Sequence, residues 1–230
     1  MTASRRYDCS DPEQRTTGMK DAASATRRGE LIVLPTDTVY GIGADAFTPS
    51  AVRALLEAKN RGREMPVPVL VGSVRAATAL VEDLTPYGQD LIEEFWPGPL
   101  TVVCRHTSTL NWDLGETRGT VAVRMPLHQV ALDLLKETGP MAVSSANRSA
   151  EPPASTCDEA EEQLGESVSV YLDGGPCTDR VPSSIVDLTG SVPRLLREGA
   201  ISAERLREVV HFLVTDEEAE GEAEGEDPPG

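Results

Sequence analysis

The stretch Leu31–Ala46 reads LIVLPTDTVYGIGADA and joins an apolar run to a polar segment that contains glycine. Leu31 to Leu34 are four consecutive aliphatic residues, a pattern typical of a buried strand. Pro35 has no N–H to donate to a neighbouring strand, so we expect regular pairing to end there. The next residues supply two hydroxyls, a carboxylate and two glycines: Thr36, Asp37, Thr38, Gly41 and Gly43. Polar groups at a strand end, beside glycines that permit a sharp turn or the close approach of a ligand, make this stretch a candidate site.

The length allows one large domain or two small ones, and the lack of an internal repeat or a long linker favours one. The chain has 230 residues, of which 39% are apolar and 4% aromatic, so aliphatic side chains must fill the core. No apolar run approaches the roughly 18 residues of a membrane span, and no apolar segment of a secretion signal follows the N-terminal arginines. The four cysteines are widely spaced and form no C-x-x-C pair: Cys9, Cys104, Cys157 and Cys177. We therefore expect a cytoplasmic protein without a zinc site or a disulfide framework.

The negative charge of the chain is concentrated at its end. The formal net charge is −17, which disfavours a nucleic-acid partner. Residues 216–230 carry eight acidic and no basic side chains, in a composition of Glu, Gly and Pro that cannot form a core. We expect residues 215–230 to be a disordered acidic tail that solvates the protein.

Periodicity and turn residues predict an α/β fold of the mixed α+β kind, with one large twisted mixed sheet flanked by helices. We expect a flexible N-terminus over residues 1–17 and a single domain over 18–214. The predicted strands are 31–34, 66–71, 100–105, 120–124, 141–143, 168–172, 184–188 and 195–199. The predicted helices are 19–28, 49–59, 84–96, 128–138, 158–164 and 203–213.

The second helix directs a lysine toward its packing side. Thr48-Pro49 gives it a hydroxyl cap followed by proline at the first helical position. Four residues have the i, i+3, i+4, i+7 spacing of one helix face: Val52, Leu55, Leu56 and Lys59. Two interpretations stay open at this point. Either the Lys59 stem covers the core while its ammonium group reaches solvent at the helix C-terminus, or the ammonium group serves a site.

Hydroxyl and cationic side chains collect at the ends of the predicted strands and after the Lys59 helix. The set consists of Thr36, Thr38, Lys59, Arg61, Arg63, Arg124, Ser144, Ser145, Asn147, Ser183, Ser184 and Arg197. It is rich in donors and contains no evident pair of nucleophile and base. Such a set suits chemistry by positioning and charge neutralisation, as in transfer at a phosphorus centre.

Other motifs carry less weight. Gly41–Ala46 matches the letters G-x-G-x-x-A, but PTDTVY separates the strand from the glycines and no helix follows them directly, so a dinucleotide fingerprint is disfavoured. The sequence has no G-x-x-x-x-G-K-[ST] loop. His106, His128 and His211 lack metal-ligand spacing, and we interpret them as structural.

Six blocks in order resemble one family. PTDTVYGIGADA is similar to PTETVYGLG, and AKNRGREMPVPVLV to a K-x-R-P…NPL stretch. FWPGPLTVV, VAVRMPLH, SSAN and LREG are similar to the WPGPLT, VRxP, SAN and LRPG blocks. On these blocks, which cover roughly residues 31–202, the chain resembles the YrdC-type threonylcarbamoyl-AMP synthase family in its short form, without the extra C-terminal domain. The resemblance implies a YrdC-like fold with a substrate groove at the strand ends.

The activity that the resemblance implies is L-threonylcarbamoyladenylate synthesis, a nucleotidyltransferase reaction. L-threonine, bicarbonate and ATP would give threonylcarbamoyl-AMP and pyrophosphate, for the threonylcarbamoyladenosine modification of tRNA. The implied partners are these three substrates, the tRNA-modification enzymes that receive the intermediate, and, as a further candidate, tRNA itself; no membrane partner is implied. Mg²⁺ is expected with ATP, and no residue is an evident dedicated metal ligand.

The resemblance also implies residue roles. Lys59 and Arg61 would be catalytic and would hold the triphosphate. Thr36, Thr38 and Arg124 would bind threonine, and the guanidinium group of Arg124 would form bidentate hydrogen bonds with the threonine carboxylate. The remaining ATP-binding residues would be Arg63, Ser144, Ser145, Asn147, Ser183 and Arg197.

Three positions depart from the family pattern. Leu70 stands where many members have a histidine that helps to bind threonine. Val181-Pro182-Ser183-Ser184 replaces a GVEST block and keeps its hydroxyls. Gly62 replaces a proline, and the Arg63 after it offers the phosphate site a further cation.

Two alternatives remain open from the sequence. One is a non-catalytic RNA-binding module of the same fold, whose cations form a local basic groove. The other is a carbamoyl-transfer domain of the kind used in hydrogenase maturation, although acylphosphatase-like and zinc-finger segments are lacking in the sequence.

Overall fold

The computed structural model describes residues 4–177 and 180–215. Its strands are β1 (Arg5–Asp8), β2 (Ile32–Leu34), β3 (Gly41–Asp45), β4 (Val69–Leu70), β5 (Leu100–Arg105), β6 (Thr120–Arg124), β7 (Met141–Ser145), β8 (Val170–Asp173), β9 (Ser184–Asp187), β10 (Arg194–Arg197) and β11 (Val214–Thr215). Its helices are α1 (Pro12–Arg27), α2 (Pro49–Ala58), α3 (Val74–Thr78), α4 (Pro86–Phe95), α5 (Gln129–Thr138), α6 (Cys157–Leu164) and α7 (Ala203–Val209). The strands form one mixed sheet in the order β1-β8-β2-β3-β7-β4-β6-β5-β9-β10-β11. The predicted fold class is confirmed.

The stretch that opens with LIVL forms an antiparallel pair, β2 with β3, in the register Leu34↔Gly41 and Ile32↔Gly43. The predicted strand is present, but the glycines do not form a turn: they are buried in β3, which the sequence interpretation missed. A Cβ atom on Gly41 would lie 2.6 Å from the Val143 side chain, and one on Gly43 would lie 3.0 Å from that of Met141. The two glycines therefore make room for side chains of β7, and the expected clearance for a ligand stays a prediction.

Two apolar cores cover the two faces of the sheet. Alternate residues of one strand enter different cores, as Val33 and Leu34 of β2 do. Helices α1 and α5 cover one face, where Ala22 and Val130 are fully or almost fully buried beside Leu34. Helices α2, α4, α6 and α7 contribute to the larger core on the other face.

One part of the α1/α5 face has no helix packed on it. Among the described residues, none from β5, β6, β9 or β10 belongs to the core beneath α1 and α5. Val102 and Val123 of β5 and β6 point into the larger core, so their neighbours Thr101 and Arg124 point to the uncovered face. The sheet therefore presents an open face, over which polar residues at the strand ends are arranged.

The beginning of the chain differs from the expected flexible N-terminus over residues 1–17. Arg5–Asp8 is an edge strand parallel to β8, and α1 begins at Pro12 with Asp11 as its cap. The Tyr7 side chain lies against α1 at Gly18. Strand β1 was missed, and the predicted helix 19–28 corresponds to the later part of α1, whose first residues were missed. Strand β1 is short and polar and α1 is rich in small and polar residues, so neither shows a strong apolar period.

Smaller differences have local causes. The predicted strand 66–71 is reduced to Val69–Leu70, since Pro66 and Pro68 have no N–H for a ladder. Helix α2 starts at the predicted position, although its Thr48 hydroxyl donates to Asp45 (2.6 Å) and accepts no bond from the helix. Of the expected tail, residues 215–230, Thr215 belongs to β11 and residues 216–230 lie outside the described residues. Over the described ranges, no helix has both the length and the apolar character needed to cross a lipid bilayer.

Candidate active site

Lys59 follows the last residue of α2 and is only 2% exposed. Its ammonium group donates to the carbonyl oxygen of Ser145, to that of Asn147 (2.6 Å) and to Asn147 Oδ1 (3.2 Å). The three N–H groups of the lysine thus have three acceptors at the end of β7. The interpretation in which the ammonium group reaches solvent is therefore wrong. Burial, and secondarily the charge of Arg61, lower the pKa of Lys59 to about 8.

Arg61 lies next to the same strand end. Its guanidinium group donates to Ser144 Oγ at 3.0 Å and to the Pro66 carbonyl oxygen at 3.2 Å. Its Nε is buried and has no hydrogen-bond partner among the described residues. Burial lowers the pKa of Arg61 without removing its charge, since guanidinium does not lose its proton in proteins.

The SSAN segment holds these cations in place. Asn147 donates through Nδ2 to the carbonyl oxygens of Arg148 (3.0 Å) and Glu151 (2.7 Å), which orients its Oδ1 toward Lys59. We call Lys59, Arg61, Ser144, Ser145 and Asn147 the lysine cluster. It brings together two of the predicted catalytic or ATP-binding cations with all three predicted polar residues of β7 and its C-terminal loop.

Arg63 is not brought into the lysine cluster. Its guanidinium group forms a bidentate ion pair with Asp113, with N–O distances of 3.0 and 2.7 Å, and its side chain is 52% exposed. The carbonyl oxygen of Arg63 also accepts from Glu116 N at 2.8 Å. Arg63 therefore joins two surface loops, and its charge is largely neutralised by a partner that the sequence alone did not identify.

A second group of polar residues surrounds Arg124, which is 7% exposed. Its guanidinium group donates to Gly98 O (3.0 Å), Thr38 Oγ1 (2.9 Å) and Asp37 Oδ1 (2.5 Å). Burial lowers the pKa of Arg124, and the charge of Asp37 opposes that shift. The Thr36 hydroxyl lies 3.1 Å from that of Thr38 and donates to the Val39 carbonyl oxygen.

Ser183 and Arg197 adjoin this group on the open face. Arg197 donates to the Ser183 carbonyl oxygen from Nε (3.0 Å) and Nη2 (2.7 Å), and Ser183 Oγ lies 2.8 Å from Thr101 Oγ1. The pKa of Arg197 is lowered first by partial burial and second by the nearby charge of Arg124. We call Thr36, Asp37, Thr38, Thr101, Arg124, Ser183 and Arg197 the arginine cluster.

Ser184 lies apart from both clusters. It is fully buried, donates to the Ile201 carbonyl oxygen, and accepts from Gly199 N and Ile201 N. These bonds hold the loop after β10, so the structure gives this hydroxyl a structural role.

The loop between β2 and β3, residues 35–40, joins the two clusters. It supplies the two threonines to the arginine cluster, and its last residue, Tyr40, accepts from Ala146 N at 2.8 Å through its carbonyl oxygen. Gly41 then pairs with Ser145 of the lysine cluster. Two sets of fixed cations thus flank one short loop, although the chain as a whole is strongly acidic.

Sequence reasoning did not single out Thr101, included Asp37 in the candidate stretch without giving it a role, and interpreted His128 as structural. Asp37 stands between the two threonines, and strand alternation after Leu100 would have placed Thr101 on the face of Arg124. His128 caps α5, and burial lowers its pKa. Its Nδ1 is buried and has no partner within the part of the chain that the structure describes.

Leu70, at the position of the family histidine, is 5% exposed and packs in the core beneath α1 and α5. It therefore offers no polar contact to a substrate.

A metal site built from protein ligands does not fit these residues. Over residues 4–177 and 180–215, no group of three His, Cys, Asp or Glu side chains is arranged to hold a metal ion. The donors of the lysine cluster are cations, hydroxyls and amides, which suit anions better than a divalent cation.

Comparison with known proteins identifies the family to which the chain is similar. The family model of the Sua5/YciO/YrdC domain, described as "Telomere recombination", matches residues 24–199. A Mycobacterium tuberculosis protein named "Putative threonylcarbamoyl-AMP synthase" is 55% identical over 204 residues, which are 89% of this chain and 94% of that protein. The threonylcarbamoyl-AMP synthase of Pyrococcus abyssi is 35% identical over 190 residues, 82% of this chain and 56% of that protein.

A solved structure agrees with the sequence relatives. The P. abyssi Sua5 crystal structure complexed with L-threonine superposes with a TM-score of 0.84 at 31% identity, over 94% of this chain and 62% of that one. The chain therefore spans less than two thirds of that longer protein, whereas it spans nearly all of the M. tuberculosis relative. On the match of the family model and on these identities, the chain belongs to the Sua5/YciO/YrdC family.

Proposed function

We propose that the chain is an L-threonylcarbamoyladenylate synthase, a nucleotidyltransferase of tRNA threonylcarbamoyladenosine modification. The relatives named above carry this activity in their names, and a structural neighbour was solved with L-threonine. The single observation that carries the proposal is the pair of cation clusters on either side of residues 35–40. A reaction that joins two anionic substrates requires two such sets of fixed positive charge.

The reaction has two steps. The amine of L-threonine takes up bicarbonate with loss of water to give N-carboxythreonine. A carbamate oxygen then attacks the α-phosphorus of ATP, the bond to the β-phosphate oxygen breaks, and pyrophosphate leaves. The protein supplies no covalent intermediate in this scheme, so its contribution is to align the anions and stabilise the leaving group.

The lysine cluster is proposed to act on the phosphates. Arg61 is proposed to bind the triphosphate with N–H groups that Ser144 and Pro66 do not use. The three N–H groups of Lys59 are already bound to Ser145 and Asn147 at the end of β7. The ammonium charge of Lys59 is therefore proposed to act on the phosphates without a direct hydrogen bond, unless a phosphate oxygen replaces one of these acceptors. The other proposed ATP-binding residues of this cluster are Ser144, Ser145 and Asn147.

The arginine cluster is proposed to bind threonine and nucleotide. Asp37, Thr38 and Gly98 use three of the five N–H groups of Arg124, which leaves two for the threonine carboxylate. Thr36 and Thr38 line the same side, and Ser183 and Arg197 are proposed to contact the nucleotide. Arg63 is left outside the proposed site because Asp113 engages it.

Mg²⁺ is proposed to arrive bound to the phosphates of ATP, since the described residues offer it no dedicated ligand set. We derive no step of the reaction through the metal. The proposed location is the cytoplasm, where ATP and tRNA are available. Partner enzymes that consume the adenylate, and tRNA itself as a direct ligand, are proposed on the activity alone.

A substrate-omission assay tests the proposal. Pyrophosphate release by wild-type protein should require L-threonine, bicarbonate and ATP together, and carbamoyl phosphate should not replace bicarbonate. Arg53→Ala is the matched control and should retain wild-type turnover, because Arg53 is an exposed cation on α2, the helix that Lys59 follows. A well-folded protein that binds RNA tightly and releases no pyrophosphate would instead identify the RNA-binding module.

A further inference from the structure

Asp37 is a mostly buried carboxylate with only one of its two oxygens engaged. Oδ1 accepts from Arg124 Nη2 at 2.5 Å and from Leu127 N at 3.0 Å. Oδ2 is buried and has no hydrogen-bond partner among the residues that the structure describes. The side chain is 12% exposed, so bulk water cannot fully solvate this oxygen. A buried carboxylate oxygen without a donor is unfavourable, which points to a donor supplied by a ligand.

The groups around Asp37 do not supply that donor. Thr36 donates to Val39 O, and the guanidinium group of Arg124 is already directed to Asp37 Oδ1 and to Thr38. His128 lies close enough for the charge of Asp37 to act on its pKa, but no hydrogen bond joins its imidazole to Asp37 Oδ2. The missing donor is therefore expected to belong to a molecule that Arg124 also binds.

The charges of Asp37 and Arg124 restrict what that molecule is. The two side chains form a nearly buried pair with no net charge, at 12% and 8% side-chain exposure. A ligand with a net negative charge would meet both a cation and an anion there. A zwitterion, with a carboxylate and an ammonium group on one carbon, places each of its charges beside the opposite charge of this pair.

We infer that Asp37 Oδ2 binds the α-nitrogen of L-threonine while Arg124 binds its carboxylate, so that the pair selects a free α-amino acid. The inference rests on the proposed function. It adds Asp37 to the threonine site and explains how the site distinguishes an α-amino acid from other carboxylates. It also fits the reaction. The ammonium group loses one proton to solvent to become the amine that takes up bicarbonate, and the nitrogen of the resulting carbamate keeps one N–H, which donates to the same oxygen. Asp37 would thus hold the nitrogen in place before and after the carbamate forms.

The test measures binding without ATP. Isothermal titration of wild-type protein compares L-threonine with the analogue in which a hydroxyl group replaces the α-ammonium group. We expect L-threonine to bind about 10- to 100-fold more tightly, and Asp37→Asn to remove most of that preference. Asp133→Asn is the matched control, because Asp133 forms an ion pair with Arg15 (2.8 Å) on the surface of α5, and it should bind L-threonine as the wild type does.

Two results would overturn the inference. Wild-type protein that binds both ligands equally would show that the ammonium group has no partner, and this result needs no variant. An Asp37→Asn protein that weakens both ligands by the same factor would show that Asp37 only positions Arg124. Either result, in protein that still releases pyrophosphate from the three substrates, would leave the proposed function standing.

Discussion

The Lys59 ammonium group donates to the carbonyl oxygen of Asn147, 2.6 Å away and 88 residues along the chain. This bond ties the end of α2 to the end of β7, next to the loop that carries Thr36 and Thr38. The same lysine is a structural link and a buried positive charge of the lysine cluster, which is proposed to act on the phosphates. Stability and turnover are therefore coupled at this residue.

Lys59→Ala is expected to lower both stability and activity. The substitution leaves the acceptors at Ser145 and Asn147 without a buried donor, which costs about 1–3 kcal/mol. In a chain of this size that loss corresponds to a fall in Tm of about 2–12 °C. Calorimetry and pyrophosphate release measure the two effects, and Arg53→Ala should change neither. An unchanged Tm would show that these bonds do not contribute to the fold.

Arg61→Ala should separate the two effects. Arg61 makes one bond to Ser144 and one to Pro66, while its Nε is unpaired, so its removal should change Tm little. Loss of a fixed donor that stabilises developing charge typically lowers turnover by about 10²–10³-fold. Steady-state kinetics with varied ATP would report this loss. A variant with near wild-type turnover would exclude Arg61 from the triphosphate site.

The pH dependence of activity and of stability should have opposite signs above pH 8. The pKa of Lys59 is lowered to about 8 in the folded protein and is near 10.4 in the unfolded chain. The folded protein therefore disfavours the charged form of Lys59. This lowers the free energy of unfolding fully below pH 8, and the free energy of unfolding rises as the pH increases from 8 toward 10.4. Activity that needs the ammonium charge should instead fall as the pH passes through about 8.

The profile of kcat/KM against pH measures this group in the free enzyme. In Lys59→Arg the charge persists at every accessible pH, so the decline near pH 8 should disappear even if the absolute rate is lower. A decline at the same pH in that variant would assign the titration to another group.

The sequence predicts elements well where side-chain periodicity is strong. Strands β5 and β6 have the predicted bounds because Val102 and Val123 alternate with residues that face the other side. Strand β3 was missed because its two glycines give no periodic signal, although their meaning is clear once Val143 lies beside Gly41.

Contacts within the site were less accessible to sequence reasoning. Arg124 and Asp37 are separated by 87 residues, and Arg63 and Asp113 by 50, so each pairing depends on the sheet order and the loop path. Single-sequence patterns identified the cations but not which of them are already engaged. The structure shows Arg63 in a surface ion pair with Asp113, and its role as an ATP ligand stays a prediction.

Gly41→Ala tests whether the glycines of β3 serve packing or ligand access. The new Cβ would lie 2.6 Å from Val143 Cγ1, so the core must shift at a cost of about 1–3 kcal/mol. Val143→Ala should relieve the clash, and the double variant should be more stable than the two single effects predict. Urea unfolding of the four proteins measures this coupling. Normal stability together with weak threonine binding would support the ligand-access interpretation.

Arg63→Ala should leave turnover within about twofold of wild type, because an exposed ion pair contributes little to a site that it does not face. Asp113→Ala frees the same guanidinium group from its partner and provides the complementary variant. If Arg63 is outside the site, both variants should behave alike and like Arg53→Ala in pyrophosphate release at saturating and at limiting ATP. If Arg63 binds phosphate, as the cation after Gly62 first indicates, Arg63→Ala should raise KM for ATP while Asp113→Ala lowers it. Opposite shifts in KM would therefore return Arg63 to the triphosphate site and show that Asp113 competes with ATP for it.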